Sequence, residues 1–186
     1  MRRHRPPGRR AHRRRRAAAA LLAVLAATFR APTPTAAQAA PTDSAVPEPT
    51  VIYLVRHAET ADGSRNPALS PEGMARARWL TVILSHARLD AVYTTDYERT
   101  RSTARPVAAA ARVRPTLYDP PNLPALARAL RERGGRVLVV GHSNTTPALA
   151  AALGGDGGPP ILESEYDRLY TLVIRGDSVR TVMLRY

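Results

Sequence analysis

From residue 50 onward, the apolar and polar positions predict strands and helices in alternation. Residues 51–55 (VIYLV) and 136–140 (RVLVV) are near-continuous apolar runs, the pattern of strands covered on both faces. Runs at 91–94, 113–117, 169–174 and 178–184 complete the strand candidates. Helical periods lie between them. Ser70 suits an N-cap and Pro71 a first helical position, opening a helix whose apolar line runs through Met74, Ala77, Leu80 and Leu84. Residues 97–111 predict a second helix, and 123–133 a third that Gly134-Gly135 closes. Thr145 or Thr146, ahead of Pro147, caps a fourth that ends at Gly154-Gly155. Such alternation implies right-handed crossovers and an α/β fold, a three-layer sandwich with a mainly parallel sheet between helices. The last two strands are joined by a Gly176-Asp177 turn, so they form an antiparallel hairpin at the sheet edge.

In an open α/β sheet, ligands sit beyond the carboxyl ends of the strands, so the residues after each strand carry the chemistry. The first strand stops on Arg56-His57-Ala58-Glu59. The second leads into TTDYERTRSTA, with Arg99 one turn into the next helix. After the third comes YDPPN, with Asp119, and after the fourth Gly141-His142-Ser143-Asn144-Thr145. Two histidines, two arginines and helix starts at one edge suit a dianionic phosphate. Guanidinium forks grip its oxygens in pairs, and helix-start N–H groups add donors. One neutral imidazole can then attack phosphorus and become a phosphohistidine, while the arginines stabilise the equatorial oxygens. No metal or cofactor is required, because guanidinium supplies the positive charge. Arginines beside His57 and His142 also repel a cation, and no third ligand is evident.

Other polar residues have plainer readings. His86 lies near a helix end, where a cation is favourable, and reads as structural. Arg101 and Arg105 fall on another helical face from Arg99. Glu163, Glu165 and Asp167 read as surface by default, or as a pocket rim or hairpin cap. Ser143 and Asn144 orient His142 and the helix start. A serine nucleophile would need triad neighbours, and none is apparent.

Three stretches carry a resemblance. LVRHAET resembles the Arg-His-Gly signature of the histidine phosphatase superfamily, the phosphoglycerate-mutase-like branch 1. VYTTDYERTRSTA is similar to that family's second block and VLVVGHSNT to its third, and the three lie in the family's order across most of residues 50–150. The resemblance implies that His57 is the nucleophile, that Arg56 and Arg99 bind the phosphoryl group, and that His142 completes the pocket. It also implies that Glu59 supports the pocket through hydrogen bonds. Ala58 stands where Gly is commoner. The family's general acid usually follows the third strand, where Asp119 is the one carboxylate; Asp62, in the polar loop ADGSRNPALS, is its rival. The compact chain is more similar to the short phosphohistidine phosphatases than to the mutases, since no segment is long enough for a lid that retains a bisphosphate.

Composition changes this picture mainly at the N-terminus. The chain has 186 residues, 28 basic against 15 acidic and a net charge of +13, which by itself resembles a nucleic-acid binder. Residues 1–39 hold ten of the arginines and no acid, leaving 18 against 15, or +3, for the rest. That balance, with one Trp and one Phe, offers no stacking platform for nucleic acid. An Arg-rich start, the 13-residue apolar stretch AAAALLAVLAATF and then Ala37-Gln38-Ala39 follow the order of a secretory signal. The stretch is short for a stable membrane span. The expected organisation is an export signal at 1–39, a linker at 40–49 and a histidine phosphatase domain at 50–186. The protein is then periplasmic or secreted, or membrane-tethered if the signal stays uncleaved. The absence of cysteine excludes disulfides, thiolate zinc and a Cys nucleophile. The expected function is an exported, metal-independent phosphomonoesterase acting on a phosphorylated small molecule or phosphoprotein. The alternatives are a phosphate-binding module without turnover, a mutase-type phosphotransferase and a binder of nucleic acid or anionic surfaces driven by residues 1–39.

Overall fold

The structure is a computed structural model and describes residues 48–186. The export signal expected at 1–39 and most of the expected linker lie outside them. No helix among the described residues is long and apolar enough to cross a membrane.

Among the described residues, six strands form one sheet: β1 (Thr50–Arg56), β2 (Ala91–Thr94), β3 (Thr116–Leu117), β4 (Arg136–Gly141), β5 (Arg168–Arg175) and β6 (Ser178–Arg185). Four helices connect them: α1 (Pro71–Ile83), α2 (Glu98–Ala111), α3 (Leu123–Arg133) and α4 (Thr145–Ala152). The spatial order is β3-β2-β4-β1-β5-β6. The first four strands in that order run parallel, β5 runs antiparallel to β1, and β6 closes the edge antiparallel to β5. The expected fold class is therefore observed.

Strand alternation explains the two cores. Ile52 and Leu54 of β1 with Val137 and Val139 of β4 face α3 and α4, packing on Leu126, Leu130, Leu149 and Leu153. Val55, Leu138 and Val140 face the other way, onto Leu80, Ala104, Val107 and Ala108 of α1 and α2. A strand buried on both faces has no polar positions to spare, which is why β1 and β4 read as continuous apolar runs. Each fully buried Leu contributes about 2–3 kcal/mol of transfer free energy.

Three local details differ from expectation. β3 spans only two exposed residues, because Arg112 ends α2 at φ 57° and the Val113 N–H still bonds to Ala108 O (3.0 Å). Residues 113–115 are thus spent leaving the helix. The buried line of α1 runs through Gly73, Ala77 and Leu80, and Met74 is 46% exposed. Gly73 packs against the Glu59 backbone so closely that a Cβ would collide with its carbonyl. At α4 the cap residue is Asn144, without a side-chain cap bond, and Thr145 is already helical. Its Oγ1 accepts from the His142 N–H (2.9 Å) instead.

Candidate active site

β1 and β4 lie side by side in parallel, with Arg56 opposite Gly141. Their ends therefore deliver His57 and His142 to the same place. The His57 N–H donates to Gly141 O (2.9 Å), and the two imidazole centres are 5.5 Å apart, edge to face. Gly141 is required here: a Cβ would come within 3 Å of the Thr145 and Tyr118 hydroxyls. The two rings open on a cleft of about 820 Å³, also lined by Arg56, Arg99, Arg65, Tyr166 and the start of α4 from Ser143 to Thr145.

The tautomer of His57 follows from its partner. Its Nδ1 lies 2.8 Å from Ala58 O. A carbonyl only accepts, so Nδ1 carries the proton and Nε2 keeps a free lone pair. Burial pushes the His57 pKa down to about 3, with Arg56, His142 and Arg99 acting in the same direction and the Ala58 bond opposing. His57 is thus a neutral imidazole, the form a nucleophile needs. His142 is pushed down to about 4, first by burial and then by Arg99 and Arg56. Its Nε2 is 3.0 Å from Thr95 Oγ1, and its Nδ1 is 3.5 Å from Arg99 Nη2. A guanidinium only donates, which leaves Nε2–H to donate to Thr95.

Buried threonines support both rings. Thr95 Oγ1 meets Thr100 Oγ1 at 2.9 Å. The Ala58 N–H donates to Thr103 Oγ1 (3.0 Å), which donates to Arg99 O (2.8 Å). The end of β1 is thereby fixed to the first turns of α2.

The two arginines are held differently. Arg56 is buried, and its Nη1 donates to the carbonyls of Leu162, Glu163 and Glu165 at 2.8–3.0 Å. Its Nη2 meets Glu163 Oε2 at 3.0 Å, and the guanidinium stacks 4.1 Å from the Tyr166 ring centre. Arg99 is partly exposed and rests 4.3 Å from the Tyr97 ring centre, with only long contacts to Arg65 O and His142.

Residues 52–120 match the histidine phosphatase superfamily (branch 1). No curated protein matches the chain significantly. Solved structures match in fold. SixA of Agrobacterium tumefaciens is 22% identical with a TM-score of 0.58, over 74% of this chain and 99% of that one. The protein histidine phosphatase SixA complexed with tungstate is 17% identical with a TM-score of 0.59, over 73% and 96%. Phosphoserine phosphatase of Entamoeba histolytica in complex with 3-phosphoglyceric acid is 13% identical with a TM-score of 0.59, over 74% and 97%. At these identities the likeness is one of fold.

The cleft brings together Arg56, His57, Arg99, His142 and Asp119, and also Asp62. It does not include Glu59. That carboxylate is taken by Arg76, whose Nε and Nη2 bind it at 2.6–3.0 Å while Nη1 reaches Tyr186 O (2.8 Å). Glu59 therefore ties the turn after β1 to Arg76 of α1 rather than touching the pocket. Asp62 sits in an exposed turn, where hydrogen bonds from Ser64 hold its carboxyl below the usual range. Asp119 is exposed at the cleft wall, in a turn closed by the Asn122 N–H on its carbonyl (3.1 Å). Thr95 and Tyr166 were not singled out from the sequence. The need of a buried guanidinium for acceptors and of an imidazole for a tautomer-fixing partner are the signals that point to such residues.

Proposed function

We propose that the protein is a metal-independent phosphomonoesterase that works through a phosphohistidine on His57. The observation that carries this reading is the neutral His57 imidazole, its Nδ1 committed to Ala58 O, set 5.5 Å from His142 in a cleft that also holds the Arg56 and Arg99 guanidinium groups. A phosphate monoester enters with its oxygens on Arg56 and Arg99. The Nε2 lone pair attacks phosphorus, the P–N bond forms and the P–O bond to the leaving group breaks. The leaving oxygen takes a proton from an acid, for which Asp119 is the candidate on the wall. Water then attacks phosphorus and gives its proton to the carboxylate that protonated the leaving group, the P–N bond breaks, and His57 is restored as inorganic phosphate departs. The bound dianion favours the imidazolium form of His142, whose Nδ1 then becomes a donor to a phosphoryl oxygen.

Asp62 is held ionised, so it is a poor acid. With only an exposed Asp119 in that role, substrates with good leaving groups fit best: phosphohistidine and aryl phosphates ahead of alkyl phosphates. The Arg-rich, apolar and Ala-x-Ala order of residues 1–39 supports export to the periplasm or medium. The exposed Asp119 also favours a second reading, a phosphate-binding module without turnover.

The test is hydrolysis of an aryl phosphate in EDTA by wild type and His57→Ala. The proposal predicts release by wild type alone, unaffected by EDTA. Phosphate binding without release would favour the binding module. Equal release from both proteins would remove His57 as nucleophile.

A further inference from the structure

The turn before β5 is built as a receptor for Arg56. Three backbone carbonyls, those of Leu162, Glu163 and Glu165, converge on Arg56 Nη1, and the next residue, Tyr166, lays its ring against the guanidinium. Carbonyl dipoles aimed at one point repel one another, so the turn needs an independent support. Glu165 is that support. Its Oε2 accepts from the Leu162 N–H (2.8 Å), closing the turn on itself, and from Arg168 Nη2 (2.6 Å). Its Oε1 accepts from Arg185 Nη2 (2.7 Å) on β6. Arg168 is buried and also donates to the carbonyls of Pro159 (2.7 Å) and Pro160 (3.1 Å), fixing the approach to the turn. Glu165 is only 15% exposed, and these hydrogen bonds hold its carboxyl at about 2. Glu163 touches Arg56 directly but its side chain is 89% exposed, so water screens that contact.

We infer that Glu165 is a positioning residue for the phosphate pocket: it sets the 162–166 turn so that three carbonyls and the Tyr166 ring fix the Arg56 guanidinium. Glu165 touches no substrate and acts through the turn that holds Arg56. The inference rests on the phosphatase reading, in which Arg56 binds the phosphoryl group.

A double-mutant cycle on the full chain tests it, with calorimetric binding of inorganic phosphate as the readout, below the unfolding transition of every variant. Glu165→Ala is expected to weaken phosphate binding by roughly ten- to a hundredfold, the usual effect of removing a supporting partner. In an Arg56→Ala background the same change should cost far less, because the turn's main route to the ligand, the Arg56 guanidinium, is gone. Glu165→Gln, which keeps an oxygen for the Leu162 N–H, should fall between wild type and Glu165→Ala; it carries the cycle if the alanine variant does not fold. A loss of equal size with and without Arg56, or no loss at all, overturns the inference and leaves the phosphatase reading standing. Failure of folded wild type to bind phosphate overturns that reading and the inference with it.

Discussion

Arg56 and Arg99 bring the same guanidinium group to one cleft from walls of different build. On the Arg56 side, the end of β1 meets the turn before β5, and every contact is short: three carbonyls, one carboxylate and one aromatic face. On the Arg99 side, the first turn of α2 faces the exposed 62–66 loop, and the guanidinium rests on Tyr97 with polar contacts of 3.4–3.5 Å. One wall is already organised, and in the proposed mechanism the ligand completes the other. Preorganised charge stabilises a transition state without reorganisation at the moment of reaction. In the proposed mechanism the loosely held Arg99 follows the phosphoryl group as it moves from leaving oxygen to nitrogen.

The sharpest way to break this contrast is to remove each arginine in turn. Arg56→Ala should lower turnover of an aryl phosphate by roughly 10²–10³-fold, the scale of losing one oriented donor. It should also destabilise the fold by about 1–3 kcal/mol, because partly buried carbonyls lose their donor. Arg99→Ala should lower turnover by a similar factor with stability unchanged within about 0.5 kcal/mol. Thermal unfolding beside steady-state rates checks both, and equal stability losses would erase the distinction between the walls.

Gly73→Ala tests what both walls share, the turn after β1. Its Cβ would press on the Glu59 carbonyl. The expected result is a loss of about 1–3 kcal/mol from overpacking, with a fall in turnover as the 57–59 turn shifts.

A smaller, graded effect comes from pH. Unfolded imidazoles titrate near 6.5, whereas His57 and His142 titrate at about 3 and about 4 in the fold. Between pH 6.5 and 4.5 the unfolded chain binds more protons, so stability falls as pH falls, by at most about 1.4 kcal/mol per pH unit for each histidine. Above pH 6.5 this contribution is constant. Melting curves from pH 8 to 4.5 should show the slope in wild type, and the double variant His57→Ala, His142→Ala should flatten it. The smallest effect belongs to Glu59→Gln. Its carboxylate serves Arg76 outside the cleft, so turnover should hold while stability drops by about 1 kcal/mol.

The sequence made one wall more legible than the other for a topological reason. Arg56, His57, Arg99 and His142 each follow a strand or open a helix, and the rule that ligands sit beyond parallel strand ends finds them one by one. The receptor for Arg56 lies 106–109 residues further along the chain. It reaches the site because β5 pairs antiparallel with β1, Leu169 opposite Val55, so the segment entering β5 must pass the end of β1. Nothing local in LESEYD marks that neighbour, and three charges in six residues look like surface. Glu59 misled in the opposite direction. It sits two residues from His57 in the chain, yet its side chain leaves on the far side of the turn, toward Arg76.

The most direct measurement is to trap the intermediate. A labelled aryl phosphate is mixed with the full chain, quenched in base within one turnover, and the digested protein is mapped by mass. The account predicts phosphate on the peptide holding His57, stable in base, lost in acid and absent from His57→Ala. Continued turnover with no label on that peptide, or with acid-stable label elsewhere, would contradict a phosphohistidine mechanism at this site.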